Sequence, residues 1–69
     1  MKEEAKKIIK KLLIDQNVNY VQLANLMQEK GYKETPDTIR SKIHRGSFSF
    51  SFVLEICNAL NLTLKFEKE

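Results

Sequence analysis

Residues 35–46, TPDTIRSKIHRG, decide the fold, because they carry both a start signal and a stop signal for one short helix. Thr35 can cap the free N–H groups of a first helical turn, and the proline after it suits the first helical position. The closing glycine can adopt the left-handed conformation that ends a helix. Ile39 and Ile43 are four residues apart and therefore share one face. The stretch predicts a helix over residues 36–45 that rests on two isoleucines.

The remaining surface of this helix is polar and mostly basic. At about 100° per residue, the side chains that point away from the isoleucines or flank them are Asp37, Thr38, Arg40, Ser41, Lys42, His44 and Arg45. A helix anchored on one side, with hydrogen-bonding and basic groups on the other, is suited to the major groove of DNA. An ordinary solvated surface is the alternative that composition alone allows.

The composition is that of a small globular protein. Its 69 residues allow one domain, and 42% hydrophobic with 30% charged residues argues against disorder. A chain of this size buries a small core and is marginally stable alone, so we expect a homodimer. The net charge of +3 is compatible with an anionic partner but identifies none.

The sequence predicts a cytoplasmic protein without disulfides. Cys57 is the single cysteine, which excludes an intramolecular disulfide and fits a reducing compartment. Lysines interrupt the apolar residues of segment 1–16, so we expect neither a signal peptide nor a membrane span. That segment is basic and amphipathic, which also allows a helix lying on a membrane surface. A solvated helix face over a core is the favoured interpretation.

Helical periodicity predicts an all-α fold of four to five short helices. The four predicted helices span about residues 2–16, 20–30, 36–45 and 50–60 of a single domain, 1–69. Asn19 and Gln22, three residues apart, form a capping box before the second helix. Ser49 can cap the fourth, although the Ser–Phe alternation around it resembles a strand. The tail, residues 62–69, alternates apolar and polar residues, which fits a short C-terminal strand or a fifth helical turn.

The order of these parts resembles the lambda-repressor/Cro-like helix-turn-helix superfamily. Leu23–Ala24 match the apolar–alanine pair with which the second helix of that family faces the third. His44–Gly46 match the pair of residues and the glycine that end its third helix. Ile56–Leu62, ICNALNL, match the motif that ends its fourth helix. The chain looks like a small prokaryotic variant with an extended turn between the second and third helices.

The resemblance implies a sequence-specific double-stranded DNA-binding protein, a small transcriptional regulator that reads the major groove with helix 36–45. In this family the third helix meets base edges, and the helix before it braces on the phosphate backbone. The implied DNA-binding residues are Thr35, Asp37, Thr38, Arg40, Ser41, Lys42, His44, Arg45 and Ser47. The implied phosphate contacts at the start of the second helix are Asn19, Tyr20 and Gln22.

Within this set the side chains differ in what they can recognise. Arg40 or Arg45 can bind guanine in bidentate fashion, a contact worth about 1–3 kcal/mol of discrimination. Lys42 and Ser47 are suited to phosphate oxygens. Asp37 repels phosphate unless it accepts a hydrogen bond from a cytosine amino group.

Other functions find less support in the sequence. His44 is the only histidine and has no cysteine or histidine nearby, so we expect no metal, no cofactor and no enzymatic activity. The alternative function is a protein–protein interaction module, antitoxin-like or a regulatory partner, on the same scaffold. Phe48, Phe50 or Phe66 would then form its docking patch. Serines rather than basic residues separate the phenylalanines at 48–52, which argues against a base-stacking platform.

Overall fold

The computed structural model describes residues 2–46 and 48–63, and these residues form four α-helices. The helices are α1, Lys2–Asp15; α2, Tyr20–Glu29; α3, Pro36–Arg45; and α4, Phe50–Ala59. The described ranges contain no strand, so the all-α prediction is confirmed there. None of the described helices is long and apolar enough to cross a membrane.

The predicted strand or fifth turn concerns the tail at 62–69. Residues 62 and 63 belong to neither a helix nor a strand, and residues 64–69 lie outside the described part. The strand is therefore not borne out where the structure describes the tail. Ser47, an expected DNA contact, also lies outside the described residues.

The starts of α2, α3 and α4 are set by capping side chains. Asn19 and Gln22 form the predicted capping box at α2, in which each side chain accepts from the other residue's N–H at 2.8 and 2.9 Å. Thr35 and Thr38 form a second capping box at α3. Ser49 caps α4, so the Ser–Phe alternation leads into the start of a helix at Phe50 and not into a strand. These local bonds satisfy donors that a helix leaves free.

Each helix is followed by a residue in the left-handed conformation. These residues are Asn17 (φ 56°), Gly31 (φ 92°), Gly46 (φ 67°) and Asn61 (φ 58°). Asparagine and glycine are the residues that tolerate this conformation best. After α1, α2 and α4 the next N–H closes back on the helix at 2.8–3.0 Å, as in a Schellman motif. The chain therefore carries its own stop signal at every helix end.

The core lies among the four helices and receives side chains from all of them. Its buried members are Ile9, Leu13, Leu23, Ala24, Met27, Ile39, Ile43, Phe52, Ile56 and Ala59. The two isoleucines of α3 are fully buried, as their spacing predicted. α2 packs against both α3 and α4, and α1 packs against α3. α3 is therefore held on its apolar face, and its opposite face points outward.

Candidate nucleic-acid interface

The outward face of α3 is made of exposed polar side chains. They belong to Asp37, Arg40, Ser41, His44 and Arg45, and we call this surface the polar face. The buried isoleucines fix its direction, because rotating the helix would expose two apolar side chains to water. Lysine, histidine and arginine in the last turn also complement the helix dipole, which accounts for part of the charge without any ligand.

Three members of the polar face are free of internal bonds. Within the part of the chain that the structure describes, the side chains of Ser41, His44 and Arg45 make no hydrogen bond and no ion pair. They can therefore meet a ligand without breaking a contact inside the protein.

The extended turn between α2 and α3 is tied to one flank of α3. Glu34 is buried, at 7% exposure. Its backbone carbonyl accepts from Gln28 Nε2 at 2.7 Å. Its carboxylate accepts from the Thr38 hydroxyl at 2.8 Å and from Lys42 Nζ at 2.6 Å. These bonds hold the turn beside α3, away from the polar face.

A second tie joins the turn to α4. The phenolic oxygen of Tyr32 accepts from Asn58 Nδ2 at 2.8 Å, and the tyrosine ring packs against the core. The turn therefore runs toward α4, and this path leaves the polar face open.

Three of the expected DNA contacts have internal roles on that flank. Lys42 pairs with Glu34, and its Nζ also lies 4.8 Å from the centre of the Phe52 ring. The Thr38 hydroxyl donates to Glu34 and accepts from the Thr35 N–H at 2.9 Å. The Thr35 hydroxyl in turn caps α3. A contact between these groups and DNA stays a prediction, and the structure gives each of them a role in the fold.

The other flank of α3 carries Arg40. Its guanidinium lies 3.2 Å from Asp37 Oδ1, and the two side chains are 60% and 90% exposed. Its Cζ atom is 5.9 Å from the centre of the Tyr20 ring. An exposed ion pair is worth only about 0.2–1 kcal/mol, so Arg40 can exchange Asp37 for another anion.

The contact between Arg40 and Tyr20 brings the start of α2 beside the polar face. The first intrahelical bond of α2 runs from the Leu23 N–H to the Asn19 carbonyl at 2.9 Å. The N–H groups of Tyr20 and Val21 precede that bond, so they remain donors at the positive end of the helix dipole. The side-chain oxygens of Asn19 and Gln22 are occupied by the capping box. Asn19 and Gln22 therefore have a structural role, because their side chains hold the first turn of α2.

A family model described as a domain of unknown function (DUF6471) matches residues 1–64. The chain belongs to this family. No curated protein and no solved structure matches it. Among the described residues of this DUF6471 domain, no group of three or more His, Cys, Asp or Glu is placed to hold a metal ion.

Sequence reasoning missed Glu34, which controls the path of the turn in the DUF6471 domain. The residue lies in a polar loop, where an acidic side chain is ordinarily solvated. One signal was available: Glu34, Thr38 and Lys42 follow each other at intervals of four residues. An acid in line with a hydroxyl and a lysine could have indicated an ion pair on that side of the helix.

Proposed function

We propose that the chain is a sequence-specific double-stranded DNA-binding protein that acts as a small transcriptional regulator. In this proposal α3 enters the major groove and presents its polar face to the bases. One observation carries the proposal: five exposed polar side chains lie on a helix whose opposite face is anchored by the fully buried Ile39 and Ile43. The turn that precedes α3 is tied to its flank and leaves this surface accessible.

The proposal gives separate roles to the two elements. Arg40 and Arg45 read guanine, because a guanidinium fits the two major-groove acceptors of that base. Ser41 and His44 supply further hydrogen bonds to base edges or phosphates. The start of α2, beside Arg40, binds a backbone phosphate through its free N–H groups. The proposed arrangement resembles that of a lambda-repressor/Cro-like helix pair with an extended turn.

The test is selection of bound fragments from a random duplex pool, followed by an anisotropy titration of the selected duplex. We expect enrichment of one sequence and a log–log salt slope of about −2 to −3 if each protomer neutralises two or three phosphates. Arg40→Gln and Arg45→Gln should each lose the enrichment. Lys30→Gln removes the same charge at the far end of α2 and should keep it. No binding to any duplex at low salt would overturn the proposal.

We further propose that the DNA-binding form is a homodimer. A surface groove between α1 and α4 is lined by apolar side chains that include Ile8, which is 67% exposed, and Val53. Lys11 and Asp15 on its α1 side carry opposite charges, so a twofold axis can place each of them opposite its counterpart on a second copy. Sedimentation should show a dimer that Ile8→Glu dissociates. A monomer at high micromolar concentration would exclude a symmetric pair on DNA.

A second candidate function is protein–protein interaction, and the surface of α4 favours it. Phe50 is 56% exposed and Leu54, four residues later on the same side, is 43% exposed. Phe48 is less suited than expected, because it is half-buried and its ring lies 5.8 Å from that of Phe52. Phe66 lies outside the described residues. A complex that survives high salt and nuclease, together with no duplex binding, would support this function instead.

A further inference from the structure

α1 presents a positive charge beside the start of α2. A surface groove there is bordered by Lys10 of α1 and by Asn19 and Tyr20 of α2. The apolar side chains that also line it are Leu13, Ile14 and Val18. An apolar lining suits the methylene stem of a lysine, whose ammonium group stays in water. The groove therefore places one cation of α1 next to the helix start that the proposed function assigns to phosphate.

The charge of this lysine is not compensated locally. Lys6 pairs with Glu3 at 3.5 Å, Lys7 follows Glu3 by four residues, and Lys11 precedes Asp15 by four. Lys10 has only lysine, leucine and isoleucine at the positions three and four residues away. It makes no ion pair within the residues that the structure describes. The spacing that supports ion pairs on a helix is therefore absent at this position.

Tyr20 joins this cation to the DNA-facing surface. Its ring contacts Arg40 of α3 at 5.9 Å, and the same residue borders the groove with Lys10. Two cations from different helices thus flank one residue at the positive end of α2. The positive potentials of the two cations add to that of the free N–H groups at the start of α2. An anion bound at this point lowers the repulsion between the two cations.

We propose that Lys10 is a binding residue for a backbone phosphate of duplex DNA, so that the interface extends from α3 and α2 onto α1. The inference rests on the proposed function and adds a third helix to it. A contact to a backbone phosphate carries no sequence information, so this contact is independent of the DNA sequence. It fixes the orientation of the protein on the duplex rather than its choice of site.

The experiment compares Lys10→Gln with Lys30→Gln on the selected duplex and on a random duplex over a salt series. For Lys10→Gln we expect the log–log salt slope to fall in magnitude by about 0.9, the value for one lost phosphate contact. The loss of affinity should be equal for both duplexes. Lys30→Gln and Lys10→Arg should keep the slope of the unmodified protein. Lys10 is exposed and glutamine matches lysine in helix propensity, so circular dichroism should show an unchanged fold.

The possible failures are distinguishable. If the unmodified protein binds duplex and Lys10→Gln keeps the full salt slope, or loses no more than Lys30→Gln, the inference is wrong and the proposed function stands. A larger loss on the selected duplex than on the random one would assign Lys10 to base contact and also overturn the inference. If the unmodified protein binds no duplex at low salt, both the inference and the proposed function fall.

Discussion

The two flanks of α3 use their cations in opposite ways. On one flank Lys42 lies 2.6 Å from a Glu34 side chain that is only 9% exposed. On the other, Arg40 lies 3.2 Å from an Asp37 side chain that is 90% exposed. Both cations also lie over an aromatic ring. The burial of the acidic partner is what distinguishes the two flanks.

This difference decides which cation is available to a ligand. Leaving a buried carboxylate without its partner costs several kcal/mol, about 3–5 in measured cases. Losing an exposed pair costs about 0.2–1 kcal/mol, because water and salt screen both charges. Lys42 therefore belongs to the fold, and Arg40 can leave Asp37 for a nucleic acid. A basic residue on a helix surface is informative about binding only when its partner is known.

The largest expected effect comes from a substitution in the buried face of α3, which supports both flanks. Ile43→Ala deletes fully buried methyl groups and leaves a cavity beneath α3. We expect the free energy of unfolding to fall by about 2–5 kcal/mol in a urea titration followed by circular dichroism. Ile43→Val is the matched control, with an expected loss of about 0.5–1.5 kcal/mol. Equal losses for the two variants would contradict the full burial of the Ile43 side chain.

The next effect tests the comparison directly, through two double-mutant cycles. Glu34→Ala combined with Lys42→Met should give a coupling energy of about 1–3 kcal/mol. The pair is partly buried, and each single variant leaves the other charged group without its partner. Asp37→Ala combined with Arg40→Met should give about 0.5 kcal/mol or less. Urea unfolding of all variants supplies both values. Similar couplings in the two cycles would remove the distinction between the flanks.

A smaller effect concerns binding on the open flank. Asp37→Asn removes a negative charge from the polar face and releases Arg40, so duplex affinity should rise about fivefold, or roughly 1 kcal/mol. Its effect on folding should stay below about 1 kcal/mol, since the pair is exposed and only the helix dipole loses a partner. Glu29→Gln at the far end of α2 loses the same charge away from the polar face and is the matched control. An equal rise in the duplex affinity of the control variant would show that net charge, and not the position of Asp37, causes the effect.

The smallest effect lies away from both flanks. Asn61 adopts the left-handed conformation after α4, and glycine meets no steric cost there. Asn61→Gly should raise the free energy of unfolding by roughly 0.5 kcal/mol and leave both coupling energies unchanged. A change in either coupling energy would mean that this energy depends on the global stability of the fold rather than on the two paired residues.

The parts of the structure that sequence reasoning anticipated depend on neighbouring residues. The capping box of Asn19 and Gln22, the Thr35 cap and the Gly46 stop are all fixed within four residues, so the chain reveals them directly. Ile39 and Ile43 were recognisable because periodicity reports burial.

The parts that escaped prediction depend on contacts between separate segments. The burial of Glu34 requires the turn to fold back onto α3. The four-residue spacing of Glu34, Thr38 and Lys42 indicates an ion pair but does not fix that path. The stacking of Arg40 on Tyr20 joins residues from two helices. The placement of Lys10 beside α2 likewise follows from the packing of α1, which periodicity does not determine.

The left-handed stops have a consequence for how such a domain diversifies. Because Thr35 and Gly46 delimit α3 by local bonds, its length does not depend on the identity of residues on the polar face. Substitutions at exposed positions typically change stability by no more than about 0.5 kcal/mol. A combinatorial library at Asp37, Ser41 and His44 would therefore vary the polar face while the scaffold stays constant. Under the proposed function, exchanging a few of these outward side chains would redirect the helix to a different DNA sequence.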